Sequence, residues 1–179
     1  PGPNITSGKF GNAIEVQNTG TFDDNKLSLG NHENDCLGNV TLCPDGVTIS
    51  FWLYMFGQSH QWPRPVNGPL FSIGAYTPST DPFFMINLYN GTHKWNKNQD
   101  MIIDYWHHFA CVYTAKDGFT LYSDGYRQDP ITPKLKDTGP QNLEMGCKEA
   151  KHCTRAKYDD LRVWNEAKHE NFIWRLWQS

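Results

Sequence analysis

The 179-residue sequence predicts an all-β sandwich closed by a short C-terminal helix, and three stretches carry that expectation. Val47 to Phe56, VTISFWLYMF, alternates with period two: Val47, Ile49, Phe51, Leu53 and Met55 share one face. Thr48, Ser50, Trp52, Tyr54 and Phe56 take the other, so both faces are partly apolar, as in a sandwich strand whose outside is covered by loops or a neighbour. Tyr105 to Gly125, YWHHFACVYTAKDGFTLYSDG, reads as a hairpin. Its first arm is rich in residues that fit a pleated surface, and its turns, Lys116-Asp117-Gly118 and Asp124-Gly125, supply residues that accept positive φ. After Trp164 the period changes. Phe172, Ile173, Leu176 and Trp177 fall on one face of a helix that would lay its stripe against the sandwich.

The remaining elements follow in order. Ala13 to Val16 is a short alternating strand, Leu70 to Tyr76 and Phe83 to Tyr89 form a strand pair, and Tyr158 to Trp164 is a late strand. Gly, Pro, Asn and Asp clusters separate them, and Gln58 to Pro69 is a proline-containing loop. There is no internal repeat, low-complexity tract or linker, so residues 1–179 read as one domain large enough for its own core.

Charge and composition exclude some functions. The net charge is −3 with acids and bases interspersed, which gives no basic footprint for nucleic acid. Lys148, Lys151, His152, Arg155 and Lys157 gather loosely without aromatic interleaving and read as a solvated loop. No apolar run reaches the roughly 18 residues needed to span a bilayer. The chain begins Pro-Gly-Pro-Asn and reads as an excised or processed fragment, so a parent protein could still be membrane-anchored.

Five cysteines suggest an oxidising compartment. Cys36 and Cys43 flank CLGNVTLC, and Cys147 and Cys153 flank CKEAKHC; neither spacing is that of a zinc ribbon, and each suits a short disulfide loop. Cys111 is left over inside the hairpin as a small buried hydrophobe. Sequons at Asn4, Asn39 and Asn90 agree with a secreted, glycosylated protein.

Four segments, in order, carry a family resemblance. Gly8-Lys-Phe-Gly-Asn-Ala-Ile14 is similar to an opening strand, and Cys36 through Cys43-Pro-Asp-Gly-Val-Thr-Ile-Ser-Phe-Trp52 to a Cys…Cys-Gly-Phe-Thr-Ile-Ser-Phe-Trp element. Trp106-His-His-Phe-Ala110, Gly118 and Asp124-Gly125 match a Trp-x-His-Val-Ala…Gly…Asp-Gly hairpin, and Tyr158-Asp-Asp-Leu-Arg-Val-Trp-Asn165 a closing Ile-Asp-Asp-Val-Arg-Ile-Trp-Asn strand. The chain thus resembles the laminin-G-like and pentraxin-like branch of the concanavalin-A-type jelly rolls, in the form found in ectodomains of adhesion receptors. That resemblance implies a two-sheet antiparallel jelly roll. It also exposes departures. The strand matched by Asn142 to Gly146 runs straight into CKEAKHC without the acid-and-amide cluster with which pentraxins bind calcium, so phosphocholine recognition of that type is not expected. Pentraxins also pair the hairpin cysteine with one in the strand matched by Val47 to Phe56, and here Cys111 lacks that partner.

Fold alone does not give function, and this superfold hosts lectins, receptor modules and glycosidases. A glycosidase needs two carboxylates at controlled separation, and no strand here alternates them. Asp159 and Asp160 are adjacent, so a regular strand would point them to opposite faces. No cofactor is called for beyond a structural calcium ion, for which Asp23, Asp24 and one of Asp159 or Asp160 are the candidate ligands; the competing reading is a turn at FDDNK and a structural polar pair. Of His107 and His108, the expectation is one buried and hydrogen-bonded and one exposed. Trp62, Tyr89, His93 and Trp95 are the candidate ligand-binding residues, aromatics and a histidine set in loops where a sugar or a protein could stack. The expected function is an extracellular, non-enzymatic adhesion or receptor domain that binds a protein or glycan on a cell surface or matrix. A soluble lectin is the alternative, and a glycoside hydrolase the remoter one.

Overall fold

A computed structural model describes residues 3–17, 26–57, 63–76, 82–89, 94–128, 142–146 and 153–179. Strands run in chain order as β1 (Asn4–Ser7), β2 (Asn12–Val16), β3 (Leu27–Asn31), β4 (Val47–Met55), β5 (Val66–Asn67), β6 (Phe71–Tyr76) and β7 (Phe83–Tyr89). They continue as β8 (Lys94–Asp100), β9 (Trp106–Thr114), β10 (Gly118–Ser123), β11 (Tyr126–Arg127), β12 (Asn142–Met145) and β13 (Ala156–Trp164), and helix α1 (Glu170–Gln178) ends the chain. Among the described residues they build two antiparallel sheets, ordered β1-β2-β13-β4-β9-β10-β11 and β3-β12-β5-β6-β7-β8. This is the jelly-roll sandwich with a C-terminal helix that the sequence predicts.

Alternation along β4 sets the layers. Val47, Ile49, Phe51, Leu53 and Met55 are all buried between the sheets. Phe51 stacks on Phe71 of the opposite sheet at 5.3 Å and lies 5.9 Å from Phe109 on the neighbouring strand. Phe109 in turn meets Phe84 edge-on at 5.2 Å, so aromatic rings tie one sheet to the other through the centre. Cys111 is free and buried in the same core, and burial pushes its thiol well above the usual range, which leaves it inert as a nucleophile.

The outer face of the seven-stranded sheet is largely covered, and that decides where a partner could reach it. Helix α1 lays Ile173 and Leu176 on Ala110, Val112 and Tyr122 of β9 and β10. Trp177 packs over the turn at Gly125, whose φ of 79° and close approach to the indole both require glycine. The link into the helix is held by Thr48, buried on that face, which donates to Glu166 O at 2.8 Å and accepts Lys168 N–H at 2.9 Å. At the other end the Gly8–Gly11 turn folds over Trp52: Phe10 meets its indole edge-on at 5.7 Å, and Phe10 N–H donates to Asp159 Oδ2 at 2.8 Å. A Cβ at Gly8 would strike that same oxygen, so the turn needs glycine there as well. The segment that resembles an opening strand is therefore a turn followed by β2.

Two sequence expectations are corrected. Both histidines are buried, His107 on the core side and His108 on the outer side, because the outer face of this sheet is itself covered. Asp159 and Asp160 do not simply alternate either. Asp159 pairs with Trp52 but Arg162 with Ser50, so β13 carries one extra residue, a bulge in which Asp160 takes a φ of 51°.

Candidate functional site

The hairpin's motif residues serve as scaffold. Asp124, at φ 50°, turns its carboxylate back across β9. Its Oδ1 accepts His108 N–H at 2.8 Å, and its Oδ2 accepts His107 Nδ1–H at 2.9 Å. A carboxylate only accepts, so Nδ1 carries the proton, and Nε2 lies 3.1 Å from both the N–H and the carbonyl oxygen of Ile102. His108 Nε2 meets Ser50 Oγ at 2.8 Å. These bonds engage both ring nitrogens of His107 and Nε2 of His108, while His108 Nδ1 is buried without a partner, and among the described residues no group of three His, Cys, Asp or Glu side chains is placed to hold a metal ion.

Burial, opposed only in part by the Asp124 charge, lowers the His108 pKa from 6.5 to about 4. An unfolded His108 takes up a proton below pH 6.5, whereas the folded one refuses it until about 4, so the unfolded state binds more protons in that window. Stability is therefore expected to fall by on the order of 3 kcal/mol as pH drops from 6.5 to 4, on top of carboxylate effects. Comparing urea unfolding of wild type and His108→Gln across pH 7 to 4 isolates it. Parallel curves would show that His108 does not drive the loss.

The predicted site residues scatter. Tyr89 is buried, 6% exposed, with its hydroxyl 3.4 Å from Ser72 Oγ, so it is not a ring offered to a ligand; the neighbouring Asn87 and Ser72 are fully buried as well. Trp62, Asn90, His93, Asp23, Asp24 and Cys147 lie outside the described residues, as does the side chain of Trp95, whose backbone pairs with Leu88. Asp159 Oδ2 is taken by Phe10 N–H, and Asp160 pairs with Arg162 at 2.6 Å, so both carboxylates already have protein partners. Cys36 and Cys43 form a disulfide, and Cys153 is buried and disulfide-bonded. Asn4 begins β1 and is exposed. Asn39 caps the 3-10 helix Val40–Leu42: its side-chain oxygen accepts from Thr41 N–H at 3.1 Å and Thr41 Oγ1–H at 2.7 Å. The amide nitrogen to which a glycan attaches takes no part in that cap.

A constellation that the sequence does not reveal stands on the uncovered part of the outer face. Strand register places Glu15, Lys157, Tyr54 and Trp106 side by side across β2, β13, β4 and β9. Tyr54 lies edge-on to Trp106 at 5.4 Å and to Phe56 at 4.9 Å, and all three rings are half-buried. Lys157 Nζ sits 5.8 Å over both Tyr54 and Phe56, and Arg155 stacks on Phe56 at 4.1 Å while bonding Glu15 at 3.0 Å. One step along β4, Lys9 Nζ lies 4.7 Å over Trp52. Lys157 thus belongs to β13, with Arg155 immediately before it, rather than to the solvated loop that their sequence neighbourhood suggests. Their aromatic partners come from other strands. Elsewhere, a cleft of about 490 Å³ beside the Cys36–Cys43 loop is lined by apolar Leu42 and Val163 and a self-paired His32–Asp35 couple at 2.6 Å.

The two-sheet order, the bulged closing strand and the Trp-His…Asp-Gly clasp define a jelly roll of the lectin and laminin G type. A laminin G family model described as the concanavalin A-like lectin/glucanases superfamily matches residues 18–173, and the chain belongs to that family. No curated protein matches it in sequence. Solved structures similar to it include the binding domain of botulinum neurotoxin DC in complex with rat synaptotagmin II, at TM-score 0.69 and 16% identity over 99% of this chain and 45% of that one. The same toxin's binding domain in complex with SialylT gives 0.67 and 16%, over 98% and 44%. A heptameric SAP-like pentraxin from Limulus polyphemus gives 0.51 and 14%, over 73% and 68%. The chain spans less than half of the toxin domains, and at these identities the likeness speaks for the fold.

Proposed function

We propose that residues 1–179 act as one extracellular, non-enzymatic recognition domain, as in an adhesion or receptor protein, binding a protein or glycan partner. The observation that carries this reading is the solvent-reachable array of Trp106, Tyr54, Phe56, Lys157 and Arg155 on the sheet face. Rings held by strand pairing lose little freedom on contact, and aromatic and arginine side chains dominate binding energy at interfaces. Toxin domains of this fold in complex with synaptotagmin II and with SialylT agree with such a use by analogy of fold. The disulfide loop at Cys36–Cys43 suits an oxidising, extracellular setting, in which the sequons at Asn4 and Asn39 would carry glycans. Asn90 and the loop aromatics Trp62, His93 and Trp95 remain open as a second contact region.

The test is binding of the purified, glycosylated chain to cell surfaces and to a glycan array. Trp106→Ala is expected to weaken whatever binding is seen by about 10-fold or more, while the thermal midpoint stays close to wild type because the ring is only half-buried. Undiminished binding by this variant and by Tyr54→Ala would rule out the face as the recognition surface.

A further inference from the structure

We infer that Trp174 is a modification site: it carries a mannose joined by a carbon–carbon bond to its indole Cδ1. The inference rests on the extracellular reading above, because the donor of such a sugar is met in the lumen of the secretory route. Sequence, chemistry and packing each lead to it.

Trp174-Arg-Leu-Trp177 is a Trp-x-x-Trp pattern, the acceptor signal for tryptophan mannosylation in secreted proteins, in which the first indole takes the sugar. The chain holds seven tryptophans, and only Trp174 is followed by a second one three positions on, so the others serve as internal controls. So short a pattern gains its weight from the structural context in which it stands.

The chemistry needs an electron-rich carbon that still carries a hydrogen. In the pyrrole half of a tryptophan indole Cδ1 is that carbon, since Cγ is already substituted by Cβ. The new bond joins Cδ1 to the anomeric carbon of mannose, and the bond that breaks is the one between that carbon and a phosphate oxygen of a polyprenyl-phosphate mannose. Polyprenyl phosphate leaves with the electron pair of the broken bond. Cδ1 gives its hydrogen as a proton to a base of the transferase, which restores the aromatic ring, and nothing is oxidised or reduced.

The packing leaves room for the product. Positions three apart on a helix are neighbours, and the two indoles lie 4.8 Å apart on α1, half-buried beside the stripe of Ile173 and Leu176 that seats the helix. Tyr126 of β11 adds a third ring at 5.5 Å from Trp174 and 5.8 Å from Trp177, and it is 60% exposed. A Cβ at Gly125 would come 3.1 Å from Trp174 Cε3 and 2.8 Å from Trp177 Cε3, so both indoles set their benzo edge against the Asp124-Gly125 turn. In an indole Cε3 and Cδ1 lie on opposite sides of the Cβ–Cγ bond. The carbon to be substituted therefore faces away from the turn, and the sugar leaves the seat of the helix intact. Its hydroxyls give a surface cluster of three aromatic rings a solvated cover.

The experiment is a peptide map of the chain, made in animal cells behind a secretory leader and taken from the medium. Trypsin cuts after Lys168 and Arg175, which puts Trp174 and Trp177 in separate peptides, 169–175 and 176–179. The 169–175 peptide is expected mostly with the added mass of one hexose, and 176–179 without it. Under fragmentation a carbon-linked sugar breaks across its ring, whereas an oxygen-linked one is lost whole, so cross-ring cleavage at Trp174 identifies the bond. Trp177→Leu removes the signal but not the acceptor, and is expected to abolish the hexose on Trp174. A bare Trp174 in the wild-type chain, a hexose lost whole, or full occupancy in Trp177→Leu would each overturn the inference. The wild-type map decides the matter even where the variant is not secreted. The peptides of Asn4 and Asn39, read in the same digest, keep the two readings apart. N-glycans there with a bare Trp174 sink the inference and leave the extracellular reading standing; bare asparagines with a bare Trp174 tell against both.

Discussion

Replacing Phe51 with alanine is expected to cost the fold about 3–5 kcal/mol, the loss typical of emptying a large buried aromatic site. Phe51 is 1% exposed, and its ring is where the two sheets meet, against Phe71 from one side and Phe109 from the other. Those neighbours belong to paired strands whose spacing is fixed by hydrogen bonds, so the sheets cannot close over the cavity and the residual void adds to the lost transfer energy. The measurement is urea unfolding, read as a fall in midpoint at unchanged slope. Ile5→Ala supplies the comparison. That side chain is 79% exposed on β1, and its removal is expected to stay within about 0.5 kcal/mol of wild type. Equal effects would mean that the interior of the sandwich is not what holds the sheets together.

Much of that interior is legible in the sequence. The strand Phe83–Tyr89 has the boundaries that its pattern predicts, and β4 ends one residue before the predicted Phe56. The stripe on α1 is also correct: Ile173 and Leu176 are its buried residues, with Phe172 against Trp164 at 5.3 Å and Trp177 against Tyr126 at 5.8 Å. Periodicity works there because burial on one face is a local property of consecutive residues. β8 escapes it. KWNKNQD is polar apart from Trp95 and shows no strand alternation, yet it pairs with the whole of β7 as an edge strand, where polar and charged residues discourage further pairing.

The outer-face array was illegible for a different reason. Glu15, Tyr54, Trp106 and Lys157 meet only through the registers of four strands, and a register is fixed by which strands the fold makes neighbours. Lys157 closes a basic stretch, Lys148 to Lys157, that holds no Phe, Tyr or Trp, and acquires two rings from β4 and the residue that follows it. Tyr89 fails in the opposite sense: its position beside a sequon suggests exposure, whereas the ring is buried on its sheet. The bulge at Asp160 is a third case. Strict alternation assumes one residue per partner, and the extra residue in β13 is invisible until Trp52 and Ser50 are known to be the partners.

Asp124 should be the most demanding polar position in the hairpin. Asp124→Ala is expected to destabilise the protein by about 2–4 kcal/mol, because two buried donors, His107 Nδ1–H and His108 N–H, lose their acceptor at once. Alanine also tolerates the φ of 50° poorly, which adds about 1 kcal/mol within that range. The carboxylate is 30% exposed, so water can reach part of the vacated site and keeps the loss below that of a fully enclosed pair. Three variants separate these contributions. Asp124→Gly relieves the backbone but restores no acceptor; Asp124→Asn tolerates the same φ and keeps one carbonyl oxygen for either donor. The expected order of stability is Asn above Gly above Ala, all below wild type. Amide hydrogen exchange at His108 gives a local reading, since its N–H should lose protection in Ala and Gly and keep part of it in Asn. If Gly matches wild type, the position matters only for its turn. If all three match it, the carboxylate does not clasp β9 to the Asp124-Gly125 turn, and the Trp-His…Asp-Gly pattern needs a different physical cause.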